Sequence, residues 1–368
     1  MLRKHIIFKG DFNGYTMQKT KFGSYCVNGI AEGCRFCVRG SKLVLFITGI
    51  CSRNCAYCSL SEKRKSKDKV WANEREIKNS KELLEEARES NAKGAGITGG
   101  DPFLRLEKTL KYAKILKKEF GKSFHVHIYL PTKLSNKEKL KRLAKDVDEV
   151  RFHPEFLCKR LDETEMGEEI EKIKAASLIF GKKNTGIELP MLPERKKEIL
   201  DFIRRVSKHI GFVNLNELEI GDINFEYITN KYKMDKEGYT VKGSIEAGKW
   251  ILKQIEKEKL KLKTHLCTAY LKNWHQYQNR LRLHKIQPYG KRTKEGNVVY
   301  LAVYAKNAGE LKKLEKELKK FGKIHIDKRK NRVILKESTA KRILGKYVIR
   351  RVEEYPTYDG IEIESEDI

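Results

Sequence analysis

Three cysteines stand close together in the segment ITGICSRNCAYCSL, which spans residues 47–60. Cys51, Cys55 and Cys58 fall within eight positions, and no fourth cysteine follows nearby. Thiolates hold iron–sulfur clusters, and a cubane 4Fe-4S cluster normally takes four of them, one for each iron. Three cysteines would therefore leave one iron open to a small-molecule chelate. The alternatives are a zinc site with a distant fourth ligand and thiols without any metal.

A second group of cysteines precedes the first one. Cys26, Cys34 and Cys37 lie in YCVNGIAEGCRFC, and Cys267 is a candidate for a fourth ligand, with His265 as its substitute. Four thiolates complete a ligand shell, which is typical of a closed structural site, and zinc and an auxiliary 4Fe-4S cluster both fit. Because this group precedes the first strand, we expect the site at the amino-terminal ends of the strands, far from the first loop. Buried reduced thiols are the alternative.

Short β-rich apolar segments alternate with segments of helical periodicity from residue 42 to residue 259. This alternation predicts an α/β fold with a parallel sheet. Six βα units in sequence favour a partial (β/α)6 TIM-like barrel over a doubly wound sheet. The predicted strands cover 42–49, 94–100, 124–131, 148–154, 184–191 and 211–218, and the predicted helices lie near 79–93, 106–119, 135–145, 166–180, 195–208 and 244–259.

One side of the predicted strands is polar, although strands that are covered by helices are usually apolar on both faces. The apolar residues that alternate with this set would pack against the helices, so the polar side chains would point into the barrel. A polar lumen indicates a site for a ligand, and an ordinary structural role for each residue is the alternative. The polar set is His125, His127, Tyr129, Arg151, His153, Glu188, Asn214 and Asn216.

The cysteine loop resembles the signature of radical S-adenosylmethionine (radical SAM) enzymes. The resemblance rests on the spacing Cys-x3-Cys-x2-Cys at the end of the first strand, with Tyr57 before the last cysteine. The segment ITGGDP, which ends the second strand, resembles the Gly-Gly-Glu/Asp element of this family at Gly99, Gly100 and Asp101. The segments GCRFCVRGSKLVLFITGICSRNCAYCSLSEKRK and LNELEI are similar, less specifically, to an archaeal group loosely related to pyruvate formate-lyase activating enzymes.

This resemblance implies a cluster, a cofactor and a reaction. Cys51, Cys55 and Cys58 would hold a 4Fe-4S cluster, and S-adenosylmethionine would chelate its open iron. An electron from a donor such as ferredoxin or flavodoxin would cleave the cofactor to a 5′-deoxyadenosyl radical, which abstracts hydrogen from a substrate. Residues near Tyr57 and Gly99 to Asp101 would seat the cofactor. Candidate contacts to its ribose or to the substrate are His153, Glu188, Asn214 and Asn216, with plain packing as the alternative for each.

The last quarter of the chain is strongly basic. Residues 261–350 carry 25 Lys and Arg against 6 Asp and Glu, whereas residues 351–368 carry 1 against 7. From residue 285 the pattern β-α-β-β-α-β predicts a small ferredoxin-like α+β module. Residues 266–285 are predicted to form a helix whose aromatics and cations suit unpaired bases and phosphates, or else pack on the barrel. These are Tyr270, Trp274 and Tyr277 with Lys272, Arg280, Arg282 and Lys285.

A formal net charge of +29 favours a nucleic-acid partner, because Lys and Arg neutralise phosphates. A Lys/Glu-rich surface of the thermophile type is the alternative. We therefore predict a radical SAM enzyme that modifies a nucleoside in tRNA or another RNA. The alternatives are a radical SAM enzyme that activates or modifies a protein or peptide, and a non-enzymatic RNA-binding protein with structural clusters. The predicted parts are a cysteine-rich arm (1–41), the barrel with an extension (42–284) and a basic domain (285–368).

Cysteine usage and hydropathy predict the compartment. Six of the eight cysteines lie between residues 26 and 58 at metal-ligand spacings, which is not the pattern of a secreted disulfide scaffold. Cys158 stands alone in FLCKR and is predicted to be structural. The amino terminus has no apolar run of the signal-peptide type, and no later segment approaches about 18 uninterrupted apolar residues. We therefore expect a reducing, cytoplasmic location and no membrane partner.

Overall fold

A computed structural model describes residues 16–368 of the chain, so the first 15 residues of the predicted arm lie outside the described part. The rest of the arm contains regular secondary structure. A hairpin of β1 (Gln18–Lys19) and β2 (Tyr25–Val27) is followed by the short helix α1 (Glu32–Val38).

The central part of the chain alternates strands and helices, and each of the six predicted strands and helices corresponds to one of them. In chain order the elements are β3 (Lys42–Phe46), β4 (Val70–Ala72), β5 (Arg75–Ile77), α2 (Ser80–Glu89), β6 (Gly94–Thr98), α3 (Leu106–Phe120), β7 (His125–Pro131), α4 (Lys137–Leu143), β8 (Glu149–His153), α5 (Glu163–Phe180), β9 (Thr185–Pro190), α6 (Lys196–Val206), β10 (Phe212–Asn216), α7 (Phe225–Lys231), α8 (Ser244–Lys257), β11 (Lys263–Cys267) and α9 (Tyr277–Leu283). Within residues 16–368, no helix has both the length and the apolar character needed to cross a membrane.

The main sheet is an open sheet whose centre is parallel. Seven strands pair in parallel in the order β11-β10-β9-β8-β7-β6-β3. The arm strand β2 pairs antiparallel with β11 at one edge, and β4 pairs antiparallel with β3 at the other. The predicted α/β fold with a parallel sheet is therefore confirmed. Six parallel strands are predicted from the sequence, whereas the sheet has seven, because residues 263–267 pair with β10 over their whole length.

The two faces of the parallel strands differ as the alternation of residues predicts. The side chains of one parity join the main apolar core beneath the helices: Val126, Ile128, Val150, Phe152, Ile187, Leu189, Val213 and Leu215. The polar side chains of the other parity lie on a concave face, where residues from β3, β7, β8, β9, β10 and β11 line one common cavity. Helix α1 packs across part of this concave face.

Helix α1 closes the amino-terminal end of the concave face. The backbone N–H of Gly33 donates to Glu149 Oε2 at 3.2 Å, and the ring of Phe36 stacks on His125 with 5.3 Å between the ring centroids. Glu149 and His125 are the first residues of β8 and β7, so α1 covers the start of the strands. Gly33 has no room for a side chain, since a Cβ atom there would lie 2.6 Å from His127 Nδ1.

The carboxyl-terminal part of the chain forms a second sheet with its own apolar core. Its elements are β12 (Lys291–Arg292), β13 (Val298–Tyr304), α10 (Ala308–Leu318), β14 (Ile324–Asp327), β15 (Arg332–Leu335), α11 (Glu337–Ile343), β16 (Arg350–Glu354) and β17 (Glu362–Asp367). The strands pair antiparallel in the order β14-β15-β13-β16-β17. The acidic strand β17 is not predicted from the sequence. Lys285 connects this part to the main sheet's layer of helices, donating its N–H to the Glu89 carbonyl at 2.7 Å.

The position of Gly33 leads to a prediction about stability. Gly33→Ala should lower the free energy of unfolding by roughly 1–3 kcal/mol, because the new methyl group must displace buried polar side chains. Gly167→Ala is the matched control, since Gly167 lies inside α5 and a Cβ atom there would meet nothing within 4 Å. That substitution should raise stability by up to about 1 kcal/mol. Urea unfolding of both variants checks this, and equal stability of the two would contradict the packing described for α1.

Candidate active site

The loop after β3 places three thiols at the carboxyl-terminal ends of the parallel strands, as predicted. Cys51, Cys55 and Cys58 all line one cavity of 570 Å³, together with Gly99 and Gly100 from the end of β6. Such a volume lies within the range of roughly 300–1,000 Å³ that is typical of small-molecule sites. The cysteines therefore face a common space of ligand size, at the end of the strands where barrel enzymes carry out chemistry.

Arg53 fixes the cysteine loop to the strands beneath it. Its guanidinium donates to the carbonyl oxygen of His153 at 2.6 Å and to Thr132 Oγ1 at 2.5 Å, and it lies 3.7 Å from Glu169. The side chain is only 2% exposed, so its charge needs these partners. Sequence reasoning did not single out Arg53. Its position as the one charged residue between the first two cysteines is the signal that could have identified it.

The glycines after β6 allow the backbone to lie directly against the cysteine loop. Gly100 donates its N–H to the carbonyl of Thr48 at 2.7 Å, and a Cβ atom at Gly100 would lie 2.9 Å from Cys51 Cβ. Gly99 has a φ of +150°, which side chains rarely allow. Both glycines line the cavity. The glycine element is therefore a close-contact wall of the site, as its sequence predicts.

Asp101 has a different place from the one expected for a residue that seats a cofactor. Its carboxylate is fully buried, accepts from Ser52 Oγ at 2.6 Å and caps the backbone N–H of Phe103 at 2.9 Å. Burial raises the pKa of Asp101, against the hydrogen bonds from Ser52 and Phe103, which lower it. Asp101 is not among the residues that line the cavity. In this structure it supports the cysteine loop from beneath.

Tyr57 and His153 form one side of the cavity. The Tyr57 hydroxyl lies 2.7 Å from His153 Nε2, and His153 Nδ1 lies 3.0 Å from the carbonyl oxygen of Glu188. Burial, and then the positive charge of Arg53, lower the pKa of His153 to about 4. The ring is therefore neutral near pH 7, so it bridges Tyr57 and β9 without adding charge to the site.

Cys158 is not the isolated residue that the sequence predicts. It is joined to Cys55 by a disulfide, with 5.0 Å between the Cα atoms, and its sulfur also lies 3.2 Å from the Tyr57 hydroxyl. The ligand atoms of Cys55, His153 and Cys158 lie within 4.8 Å of one another. A metal cluster binds thiolates, so Cys55 can serve as a ligand only when this disulfide is reduced. The prediction missed the pair because 103 residues separate its members.

Glu188 organises the polar floor of the cavity. Its carboxylate accepts from Arg151 Nη1 at 3.0 Å and from Asn216 Nδ2 at 2.9 Å. His153, Glu188 and Asn216 line the main cavity, as expected for ligand contacts. Asn214 does not, and instead donates to Asn216 Oδ1 at 3.1 Å. Three of the four candidate contacts are therefore brought together, and the fourth orients one of them.

The second group of cysteines is divided in the structure. Cys34, Cys37 and Cys267 line a smaller cavity of 210 Å³, whereas Cys26 is fully buried and does not line it. His265, the proposed substitute ligand, lies 2.9 Å from Asn214 Oδ1 and 3.0 Å from Ser24 Oγ through its two ring nitrogens. The predicted position at the amino-terminal ends of the strands is wrong for Cys267, because it ends β11, in register with Asn216.

Lys42, Glu217 and Glu219 also line the main cavity, and the sequence analysis did not identify them as site residues. Lys42 donates to Tyr129 OH at 3.3 Å, and Glu219 forms an ion pair with Lys272 at 2.6 Å. Glu217 also lines the cavity and accepts from the N–H of Ala269 at 2.7 Å. Lys42 shares the inward parity of its strand, so strand alternation could have identified it. The two glutamates follow the end of β10, where side-chain direction cannot be derived from alternation.

A family model and a similar protein agree with the signature of the cysteine loop. The family model of the Radical SAM superfamily matches residues 45–206. A protein of Methanocaldococcus jannaschii, named "Putative glycyl-radical enzyme activating enzyme", is 35% identical over 351 residues, which are 91% of this chain and 92% of that protein. A solved radical S-adenosylmethionine methyltransferase, TsrM from Kitasatospora setae with tryptophan and a cofactor analog, is 11% identical with a TM-score of 0.37. The similarity covers 70% of this chain and 53% of TsrM.

The geometry of the cysteine loop predicts which thiols bind iron. Replacing Cys51, Cys55 or Cys58 with Ala should prevent assembly of the cluster, because each thiolate holds one iron. Each variant should therefore contain about four fewer iron and four fewer sulfide ions per chain after anaerobic reconstitution. Cys158→Ala is the matched control, and it should retain them. Iron and sulfide assays check this. Loss of the same iron in Cys158→Ala, with retention in Cys55→Ala, would reverse the assignment of these two residues.

His127, which is buried on the concave face, leads to a prediction about how stability depends on pH. Burial, and then the charges of Arg151 and Lys42, hold the pKa of His127 well below its usual value. The unfolded chain therefore binds a proton near pH 6.5 that the folded chain does not, and stability falls as the pH drops below about 6.5. His127→Gln should make this fall shallower by up to about 1.4 kcal/mol per pH unit. Urea unfolding between pH 5 and 7.5 measures it, and an unchanged slope would contradict the assignment.

Proposed function

The chain belongs to the radical S-adenosylmethionine superfamily, and we propose that within this superfamily it acts on a protein or peptide rather than on RNA. The relative from Methanocaldococcus jannaschii carries the name of an activating enzyme for a glycyl-radical enzyme, which is a protein substrate. Its similarity extends over nearly the whole of both chains. This reverses the preference derived from net charge, which favoured tRNA. The finer division into a partial (β/α)6 barrel and a ferredoxin-like domain at 285–368 belongs to the same proposal.

Cys51, Cys55 and Cys58 are the residues that would hold the 4Fe-4S cluster. The fit is supported by their common cavity and by the absence of space for any side chain at Gly100. When bound, the cluster and S-adenosylmethionine supply a 5′-deoxyadenosyl radical that removes a hydrogen atom from carbon. A small electron carrier such as ferredoxin or flavodoxin is the electron donor in this proposal. The Cys55–Cys158 disulfide must be reduced before the cluster is assembled.

The side chains around the cavity hold and orient what enters it. Glu188 offers carboxylate oxygens, and Asn216 offers an amide, on the floor opposite the cysteine loop. Tyr57 and neutral His153 form a wall that adds no charge. A carbon radical reacts with any C–H bond that it meets, so this fixed arrangement matters because it limits which hydrogen is presented.

Three exposed aromatic residues that are close in sequence to the cavity lining, which we call the aromatic rim, support the proposal for a protein substrate. Phe225, Tyr270 and Trp274 are 57%, 58% and 55% exposed. Each lies two residues from a residue that lines the cavity, either Ile223 or Lys272. Exposed aromatic residues are enriched at protein interfaces, where they supply large contact areas. We propose that these side chains contact a polypeptide while one of its residues enters the cavity.

RNA remains the second candidate, because the net charge of the chain is +29. Several of the basic residues in the carboxyl-terminal sheet are already paired, however. Arg350 binds Asp367 at 2.9 Å, and Arg351 lies 3.3 Å from Glu366. Lys330 binds Glu354 at 2.6 Å. The strand order brings the acidic strand β17 against Arg350 and Arg351 of β16, which reduces the positive potential that these two residues offer to phosphates.

The source of the hydrogen atom tests the class of substrate. We expect the reconstituted enzyme, given dithionite and S-adenosylmethionine, to release 5′-deoxyadenosine that carries deuterium when it is supplied with an RNase-treated protein fraction from deuterated cells. The protease-treated RNA fraction of the same cells should give unlabelled product. Mass spectrometry of 5′-deoxyadenosine distinguishes the two. Deuterium from the RNA fraction alone would overturn the proposal in favour of the RNA alternative.

A variant of the aromatic rim tests whether the rim contributes to the deuterium transfer. Trp274→Ala should reduce deuterium transfer from the protein fraction by roughly tenfold or more, since truncating a central aromatic contact typically costs about 2 kcal/mol. It should leave the slow release of unlabelled 5′-deoxyadenosine unchanged. Leu178→Ala is the matched control, because Leu178 is a highly exposed apolar residue on α5. Equal losses in both variants would contradict a role for the rim.

A further inference from the structure

A second group of thiols adjoins the main cavity. Cys34 and Cys37 are one turn apart on α1, and Cys267 ends β11. These three cysteines line the smaller cavity of 210 Å³. Six residues line both cavities, so one layer of side chains separates them: Lys42, Tyr129, Arg151, Glu188, Asn216 and Lys272.

We propose that Cys34, Cys37 and Cys267 hold a second iron–sulfur cluster of the cubane type, beside the main cavity. Three thiolates account for three irons of such a cluster and leave the fourth without a cysteine. Cys26 does not line the cavity, so it is not a ligand. This inference concerns a site that is separate from the cysteine loop, and it does not depend on the class of substrate.

The spacing of the thiols favours a cluster over a single zinc ion. Two sulfurs on one zinc can be no more than about 4.6 Å apart, which is twice the Zn–S bond of ~2.3 Å. Among residues 16–368, the groups of three or more ligand atoms within 4.8 Å of one another are Cys55, His153 and Cys158, and Glu86, Glu89 and His284. The three cysteines of the smaller cavity are not such a group. A cubane places each cysteine on a different iron, so it spans more widely spaced thiols.

Three cations lie in the lining of the proposed site, and one of them contacts a cysteine directly. Arg151 Nη1 donates to Cys34 Sγ at 3.3 Å. Lys42 lines the same cavity as Cys37. Lys272 lines it together with Cys267 and forms an ion pair with Glu219 at 2.6 Å. Three cations beside three thiols stabilise the thiolate forms that a metal cluster requires.

Hydrogen bonds would also orient the first of these ligands. Cys34 Sγ lies 3.6 Å from Asn214 Oδ1, so the thiol donates to the amide when it is protonated. Hydrogen bonds to ligand sulfurs are among the features that set the potential of a cluster.

Cys26 provides a natural control within the same part of the fold. It is fully buried in a small apolar cluster that also contains Cys34 and Cys267. Burial raises its pKa to about 11, opposed by a backbone hydrogen bond from Gly29, and no cation contributes. Cys26 thus resembles the other cysteines in burial but lacks both the cavity and the positive partner. It has the character of a packing residue.

Metal content tests the proposal without any assay of activity. We expect the full chain, reconstituted anaerobically with iron and sulfide, to hold about eight irons, four for each cluster. The triple variant Cys51→Ala, Cys55→Ala, Cys58→Ala should keep about four, with the absorption and low-temperature paramagnetic signal of a reduced cubane. Cys26→Ala should keep about eight. Zinc is measured in the same samples by plasma mass spectrometry.

Single variants that are shown to be folded provide a second test beside the triple variant. Cys37→Ala and Cys267→Ala, each shown to be folded by circular dichroism, should keep about four irons and retain the iron of the cysteine loop. The proposal is overturned if the triple variant of the cysteine loop binds no iron or binds one zinc. It is also overturned if Cys26→Ala loses as much iron as Cys267→Ala. None of these results depends on whether a protein or an RNA is the substrate.

Discussion

A single buried guanidinium holds together the parts of this molecule that matter for chemistry. Arg151 stands in the middle of the concave face, where it pairs with Glu149 at 2.6 Å and with Glu188 at 3.0 Å. Through Glu149 it supports the N–H of Gly33 and so the helix that closes the face. Its contact with Glu188 links it to the main cavity, and its contact with Cys34 links it to the smaller cavity. A charge buried this deeply must be paired, since removal of one partner typically costs about 3–5 kcal/mol. This requirement fixes α1, β8 and β9 relative to one another.

The division between the polar face and the apolar core also explains how much of the fold could be predicted. Alternation along the strands separates polar from apolar residues without any knowledge of partners, so six strands, six helices and the polar face follow from the sequence. The strand β11 was missed because KTHLC has too little apolar character, and its place depends on pairing with β10. Helix α1 is only seven residues long and has no side-chain cap at its start, so local signals for it are weak. Tertiary contacts determine both elements.

The candidate site likewise contains residues that local sequence features identify and residues that only tertiary contacts position. Spacing in the sequence identified the three cysteines of the loop and the two glycines, because these features are local and their chemistry requires fixed intervals. The role of Asp101 could not be predicted, since its carboxylate turns under the loop towards Ser52 rather than into the cavity. The approach of Cys158 to Cys55, and of Arg53 to β8, depends on contacts across about a hundred residues. Such contacts come from the register of the sheet and not from any local pattern.

Net charge is the property for which the sequence alone is least informative about the partner, and the reason is spatial. A count along the chain treats the basic segment and the acidic end as two separate regions. In the fold, β17 lies antiparallel to β16, so Arg350 and Arg351 face Asp367, Glu364 and Glu366 across the pair. Opposite charges on adjacent strands cancel much of each other's field within a Debye length of about 10 Å. The partner of a protein senses this field rather than the sum of its charges, so a basic composition is a weak argument for RNA wherever the strand order brings acidic residues alongside the basic ones.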